Sequence, residues 1–187
     1  HAIRILRSAG VPARLRLIGD SLDGAAFRSV IEAKIRLLDL TGYVDLIGLV
    51  RNKRDKIALL HTSDAFAGCF IRSEPFGLVV LEAMATGLPV VVPDTGAAPE
   101  ILHRTAHPAG RLYRTNDTGQ LADQLRWLHE HPAEARRMGQ AGREAVARYF
   151  HAERMAHDVR AVFDEAIASR RQQRTQARHR LTSDVAV

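Results

Sequence analysis

Five short apolar runs alternate along the chain with longer stretches whose apolar residues recur at helical spacing, and that alternation decides the fold class. The runs cover residues 14–18, 44–49, 65–71, 89–92 and 110–113. A helix is predicted from 24 to 40, with Phe27, Val30, Ile31, Ile35 and Leu38 on one face. Shorter helices are predicted over 55–61 and over 76–86, the second closed by Gly87, and Pro99 starts another where proline suits a first turn. Strand and helix in turn, joined by short connections, predict an α/β chain whose mostly parallel sheet is covered by helices on both faces. Such sheets hold ligands outside the carboxyl ends of their strands, at a switch in strand order.

The last third reads as helix. Leu121, Leu125 and Leu128 form one stripe, Met138, Ala141, Ala145 and Tyr149 a second, and Met155, Val159, Val162, Phe163 and Ala166 a third. The division expected is a Rossmann-like domain over 1–150, a C-terminal helix over 151–169 and a basic, disordered tail over 170–187. The net charge of +6 invites a nucleic-acid partner. Yet Arg170, Arg171, Arg174, Arg178 and Arg180 face only Asp184 in the tail, which leaves the body close to neutral. A nearly neutral body has no strong field for a polyanion, so no nucleic acid is expected. One cysteine, Cys69, excludes a disulfide framework or a multi-cysteine zinc site, and is expected to be an inert residue in an apolar strand. No apolar run reaches the roughly 18 residues of a membrane span. The opening on His1, without a start methionine, predicts a piece of a longer polypeptide.

The segment from 73 to 85, SEPFGLVVLEAMA, carries the chemistry. From Phe76 to Ala85 only Glu82 is polar, and a helix apolar all round is expected to be buried. Ionised glutamate is rarely buried alone, so Glu82 must meet either a specific polar neighbour or a cavity that a ligand fills. Glu74 lies just before a helix start whose free amides and dipole attract anions. A diphosphate there would be held by backbone N–H groups, with Gly77 permitting close approach. Two carboxylates flanking that point suit the hydroxyls of a sugar. Read on their own, Glu74 is as well placed to be a helix cap, and Glu82 is the better site candidate.

Glu74 and Glu82 enclose seven residues, the E-x7-E spacing of retaining GT-B glycosyltransferases. Residues 74–101, EPFGLVVLEAMATGLPVVVPDTGAAPEI, resemble the C-terminal, donor-binding domain of family 4 glycosyltransferases. The likeness extends to LIGD at 17–20, VDLIGLV at 44–50, SDAF at 63–66 and AGRLY at 109–113, and covers roughly 1–169. The chain departs from the family pattern at Phe70 and Ile71, where Pro-Ser is frequent, and at Gly96-Ala97, where paired glycines are usual.

The resemblance implies transfer of a sugar, with retention, from a UDP- or GDP-linked donor, with no metal. Glu74 would bind the donor sugar's hydroxyls and settle it for reaction, as the catalytic residue. The amides of Phe76, Gly77 and Leu78 would meet the diphosphate and sugar, and Glu82 the ribose hydroxyls. Arg51 and Asn52 would lie near the nucleobase, and Gly19 would let a strand end approach the donor. The family's acceptor-binding N-terminal domain and its diphosphate-binding Arg and Lys have no counterpart in these residues, so the chain is expected to be inactive alone. A glycan or lipid acceptor, and a place in the cytoplasm or at the inner face of the membrane, follow from the same likeness.

Other chemistries fit less well. His129 and His131, two apart, point to different sides of a helix and make a poor metal pair. His61 ends a helix, where a polar terminus explains it, and Trp127 with Leu128 is expected to pack rather than form a binding platform. Gly19-Asp20-Ser21 lacks the glycines of a dinucleotide fingerprint, and no G-x-x-x-x-G-K-[ST] loop occurs. Two alternatives stand beside the transferase: a sugar-nucleotide epimerase of the same architecture, and a nucleotide-binding or interaction module without catalysis.

Overall fold

The computed structural model describes residues 1–19, 24–70, 75–103 and 107–183. It divides into two compact units, His1–Val146 and Ala147–Val187. The first contains α1 (Ala2–Ser8), β1 (Leu15–Ile18), α2 (Gly24–Leu37), β2 (Val44–Gly48), α3 (Lys53–His61), β3 (Phe66–Ala67), α4 (Leu78–Ala85), β4 (Val90–Pro93), α5 (Ala98–His103), β5 (Gly110–Tyr113) and α6 (Thr118–Glu130). Helix α7 (Pro132–Tyr149) follows, then α8 (Ala152–Ser183).

Every strand pairing among the described residues is parallel. The strands form a pair, β1-β2, and a triplet, β3-β4-β5. Leu15 lies opposite Val44 and Ile18 opposite Gly48, with a shift in register between Leu17 and Ile18. Val90 lies opposite Phe66 on one side and Gly110 on the other. Central β4 is Val-Val-Val-Pro and buried throughout, as a strand covered on both faces must be. On one face Val91 joins a core with Ile3 and Leu6 of α1 and Leu121, Ala122 and Leu128 of α6. Leu15, Val44, Ala65 and Ala67 pack against that core, so it underlies both sheets. By strand alternation Val90 and Val92 point to the other face, where they are equally buried. Gly142 of α7 leaves room for Met84 of α4, whose Cβ would lie 3.4 Å from a side chain added at that glycine. A Cβ at Gly139 would overlap the backbone carbonyl of Gly87, so α7 crosses the turn after α4 in direct contact with its main chain.

Local chemistry sets the helix ends. The Asn52 side chain accepts from the Arg54 amide at 2.8 Å and caps α3. Asp117 caps α6, accepting from the Gln120 amide at 2.8 Å. Pro132 opens α7 at the position where its missing N–H costs nothing. Tyr113, at the end of β5, donates its hydroxyl to the carbonyl of Gly68 at 2.9 Å, across the central strand.

Four sequence expectations need correction. Strand β3 is only Phe66–Ala67, shorter than the apolar run at 65–71, and Cys69 beyond it is exposed rather than in the core. The apolar face of α2 is only partly covered: Phe27 is 49% and Val30 63% exposed. In α4, Val80, Leu81, Ala83 and Met84 are buried, but Leu78 and Val79 are exposed, so the helix is not enclosed all round. Helix α8 does not end at 169 but continues to Ser183. No Gly or Pro interrupts its sequence, and Arg, Gln and Ala are strong helix formers. Its residues Met155, Val159, Val162 and Phe163 are exposed.

Candidate functional site

Parallel strands joined by crossovers bring the loops after the strands to one edge, and most of the sequence-predicted residues lie there. Gly19 follows β1 with φ of 132°, and its amide donates to the carbonyl of Gly48 at 2.9 Å. Gly48 ends β2 with φ of 78°. Two adjacent strand ends thus turn through backbone conformations that side chains disfavour. Among the described residues nothing lies within 4 Å of a Cβ built on Gly19. Arg51 and Asn52 follow and are exposed. The Asn52 amide oxygen is engaged as the cap of α3, which gives that residue a structural duty beside any contact with a base.

Gly77 precedes α4 as its N-cap in the left-handed conformation, φ 76° and ψ 40°. It is buried, and a Cβ there would come within 3.3 Å of Ile101, so both its torsion and its packing select glycine. Its carbonyl accepts from the amides of Val80 and Leu81, which starts the helix. Phe76 and Leu78, to either side, are exposed apolar residues. A helix start leaves its first amides without intrahelical partners. Here that end carries a glycine bend and a small apolar rim.

Glu82 lies one turn inside α4, with its side chain 42% exposed. Of the two environments open to it in sequence, the structure gives it the polar neighbour. Lys56 of α3 donates its ammonium to Glu82 Oε1 at 2.5 Å. Half-exposed pairs of this kind add about 0–1 kcal/mol to stability, so the bridge does little to hold α3 against α4. Sequence reading missed Lys56. It stands 26 residues from its partner, and nothing in its local sequence separates it from its charged neighbours on α3. Glu74, the residue expected to be catalytic, lies outside the described residues.

Cys69 and Tyr113 meet beside this edge. Burial pushes the Cys69 thiol up, against a smaller downward pull from its hydrogen bond with Tyr113. Burial, and then Cys69, push the Tyr113 phenol up as well. Both stay protonated at neutral pH, which makes Cys69 a poor nucleophile despite its exposure. Among the described residues no three His, Cys, Asp or Glu side chains gather as a metal site would require. Trp127 stacks on His131 with ring centroids 4.4 Å apart, and Arg111 covers the Trp127 ring at 4.0 Å. A recess of about 490 Å³ borders Arg28, Glu32 and Asp45, but it opens at the start of β2, the edge opposite the helix-start loops.

The family described as Glycosyl transferases group 1 matches residues 1–145. The chain belongs to that family. Its relatives include the N-acetyl-alpha-D-glucosaminyl L-malate synthase of Bacillus anthracis, 29% identical over 84% of this chain and 39% of the relative. The phosphatidyl-myo-inositol mannosyltransferase of Mycobacterium leprae is 33% identical over 68% of this chain and 32% of its own length. This group 1 chain therefore spans well under half of either curated relative. Among solved structures, Anabaena HepE in complex with UDP superposes with a TM-score of 0.76 at 21% identity, over 88% of this chain and 44% of that one. At that identity the likeness concerns the fold: a parallel α/β domain of a GT-B glycosyltransferase. No helix among the described residues is long and apolar enough to cross a membrane.

Proposed function

We propose that this group 1 chain forms the donor-binding half of a glycosyltransferase that moves a sugar from a nucleotide-diphosphate sugar to an acceptor with retention. The observation that carries the reading is the placement of Glu82. It is a carboxylate one turn inside a helix that starts at a left-handed glycine, following a strand of a parallel sheet. In that setting the diphosphate of a UDP- or GDP-linked donor sits at the start of α4, against the amides of Phe76, Gly77 and Leu78. Glu82 accepts from the ribose hydroxyls, whose O–H groups bond strongly to a carboxylate. Arg51 and Asn52 border the base, and the turn at Gly19 admits the donor to the strand ends. Glu74 takes the hydroxyls of the transferred sugar.

In this reading the chain uses no metal. Charge that develops on the departing diphosphate is met by the amides and dipole at the start of α4 and by basic side chains. The acceptor, glycan or lipid, meets the sugar from a separate acceptor-binding domain. HepE, the fold neighbour, is a UDP complex, which supports a nucleotide donor for this domain too.

The test is calorimetric titration of the 187-residue chain with UDP, GDP and ADP and their sugars. At least one binds, and Glu82→Ala weakens it about tenfold, the cost of one charge-assisted hydrogen bond to a hydroxyl. Equal binding by the variant removes Glu82 from the site. Sugar transfer by this chain alone stays at background, and robust turnover would show that it needs no second domain. Retention is read by NMR from the product of the complete enzyme, whose anomeric configuration matches that of the donor.

A further inference from the structure

We propose that Lys56 is a positioning residue that sets the ribose selectivity of this domain by holding one oxygen of Glu82. The inference rests on the reading of Glu82 as the ribose-binding carboxylate. Its own observation is the bridge from Lys56 Nζ to Glu82 Oε1 at 2.5 Å, between α3 and α4. A carboxylate has two oxygens, and an ammonium donates without accepting. With Lys56 on one acceptor site of Oε1, the carboxylate presents Oε2 and the remaining lone pair of Oε1 to the hydroxyls of a vicinal diol. The bridge also fixes the rotamer of a side chain that is otherwise 42% exposed and free to turn. Fixing it before the ligand arrives removes an ordering cost from binding, and removes it only for ligands that use Glu82. Lys56 is suited to this because it comes from a different helix. Asn52 caps α3 at the end of β2, so the lysine one turn later is anchored to the same sheet edge as the loop beside it.

Ribose discrimination distinguishes the role of Lys56 from that of Glu82. The probes are UDP, GDP and ADP and their 2′,3′-dideoxy counterparts, titrated against the 187-residue chain. For whichever nucleotide binds, the ratio of dideoxy to ribose dissociation constants is the readout. The wild-type chain discriminates, and Glu82→Ala abolishes discrimination. Lys56→Met lowers the ratio about three- to tenfold, the ordering of one rotamer-rich side chain, with the melting temperature within about 2 °C of wild type, as loss of an exposed pair allows. Lys56→Arg restores most of it. If Lys56→Met keeps the full ratio while Glu82→Ala loses it, the role of Lys56 is refuted and that of Glu82 stands. If Lys56→Met weakens ribose and dideoxy nucleotides equally, the lysine acts on another part of the ligand and the proposal also fails. If the wild type binds no nucleotide, or binds without discrimination, Glu82 is not the ribose ligand and both readings fall.

Discussion

Replacing Tyr113 with phenylalanine deletes one oxygen from the far end of β5, with a consequence that reverses sign with pH. The side chain is 5% exposed, and its hydroxyl donates to the Gly68 carbonyl at 2.9 Å. Phenylalanine leaves that buried carbonyl without its partner, a loss of about 1–2 kcal/mol at pH 7. In the unfolded chain the phenol ionises at its ordinary value near 10.0, whereas in the folded chain burial first, and Cys69 second, hold it protonated well above that. Between those values the unfolded state has released a proton that the native state keeps. Native stability therefore falls as pH rises, by about 1.4 kcal/mol per unit beyond pH 10. Phenylalanine carries no such slope. The variant starts behind at pH 7, draws level near about pH 11 and is the more stable chain above it. Urea midpoints read by circular dichroism at pH 7, 9, 10 and 11 test this. Both proteins carry Cys69→Ala so that the raised thiol adds no slope of its own. Curves that stay parallel from pH 7 to 11 would refute the buried, protonated phenol, and equal midpoints at pH 7 would refute the bond to Gly68.

Gly139→Ala sets a methyl against the Gly87 carbonyl and is expected to cost about 1–3 kcal/mol, lowering the melting temperature by several degrees. Gly119→Ala, whose added Cβ meets only an Asp117 oxygen at 3.5 Å, is expected to raise it through helix propensity, so a similar loss at both would remove the steric argument. Asn52→Ala removes the cap of α3 and costs about 1 kcal/mol, whereas Asn52→Asp keeps it. Nucleotide affinity that falls in Asn52→Asp at unchanged stability would mark a base contact separate from the cap. In α8, the exposure of Met155, Val159, Val162 and Phe163 predicts fast amide exchange from 155 to 166, and protection there equal to that of β4 would contradict it.

What the sequence disclosed, and what it withheld, follows from the range of the forces involved. The run Val90–Pro93 is legible because a strand covered on both faces needs apolar residues at every position. Gly87 is legible as the end of α4 because its torsion is local, with φ of 83°, whereas the start at Gly77, φ 76°, falls inside the helix predicted over 76–86. The exposure of Phe27 and Val30 was not legible, since periodicity shows which face of a helix is apolar but not what covers it. The environment of Glu82 was legible only as a choice between a polar neighbour and a cavity. Its resolution, Lys56, depends on the packing of two helices from separate crossovers. The helix beyond 169 was missed for the opposite reason: low apolar content argues against a core, while helix formation in an Arg- and Gln-rich stretch answers to backbone propensity alone.

The division of the strands into a pair and a triplet has a colloidal consequence. Five strands in one sheet have two outer strands; among the described residues, arranged as β1-β2 and β3-β4-β5, they have four, and only β4 is bonded on both sides. An outer strand keeps one row of amides and carbonyls outside its ladder, and such a row, where water reaches it, is a template for another extended chain. Loss of dissolved protein by this route is bimolecular, so its rate rises with the square of concentration and falls steeply on dilution. An extended peptide that pairs with such a rim would act on this chain as a solubiliser, by occupying the groups through which two copies would otherwise meet.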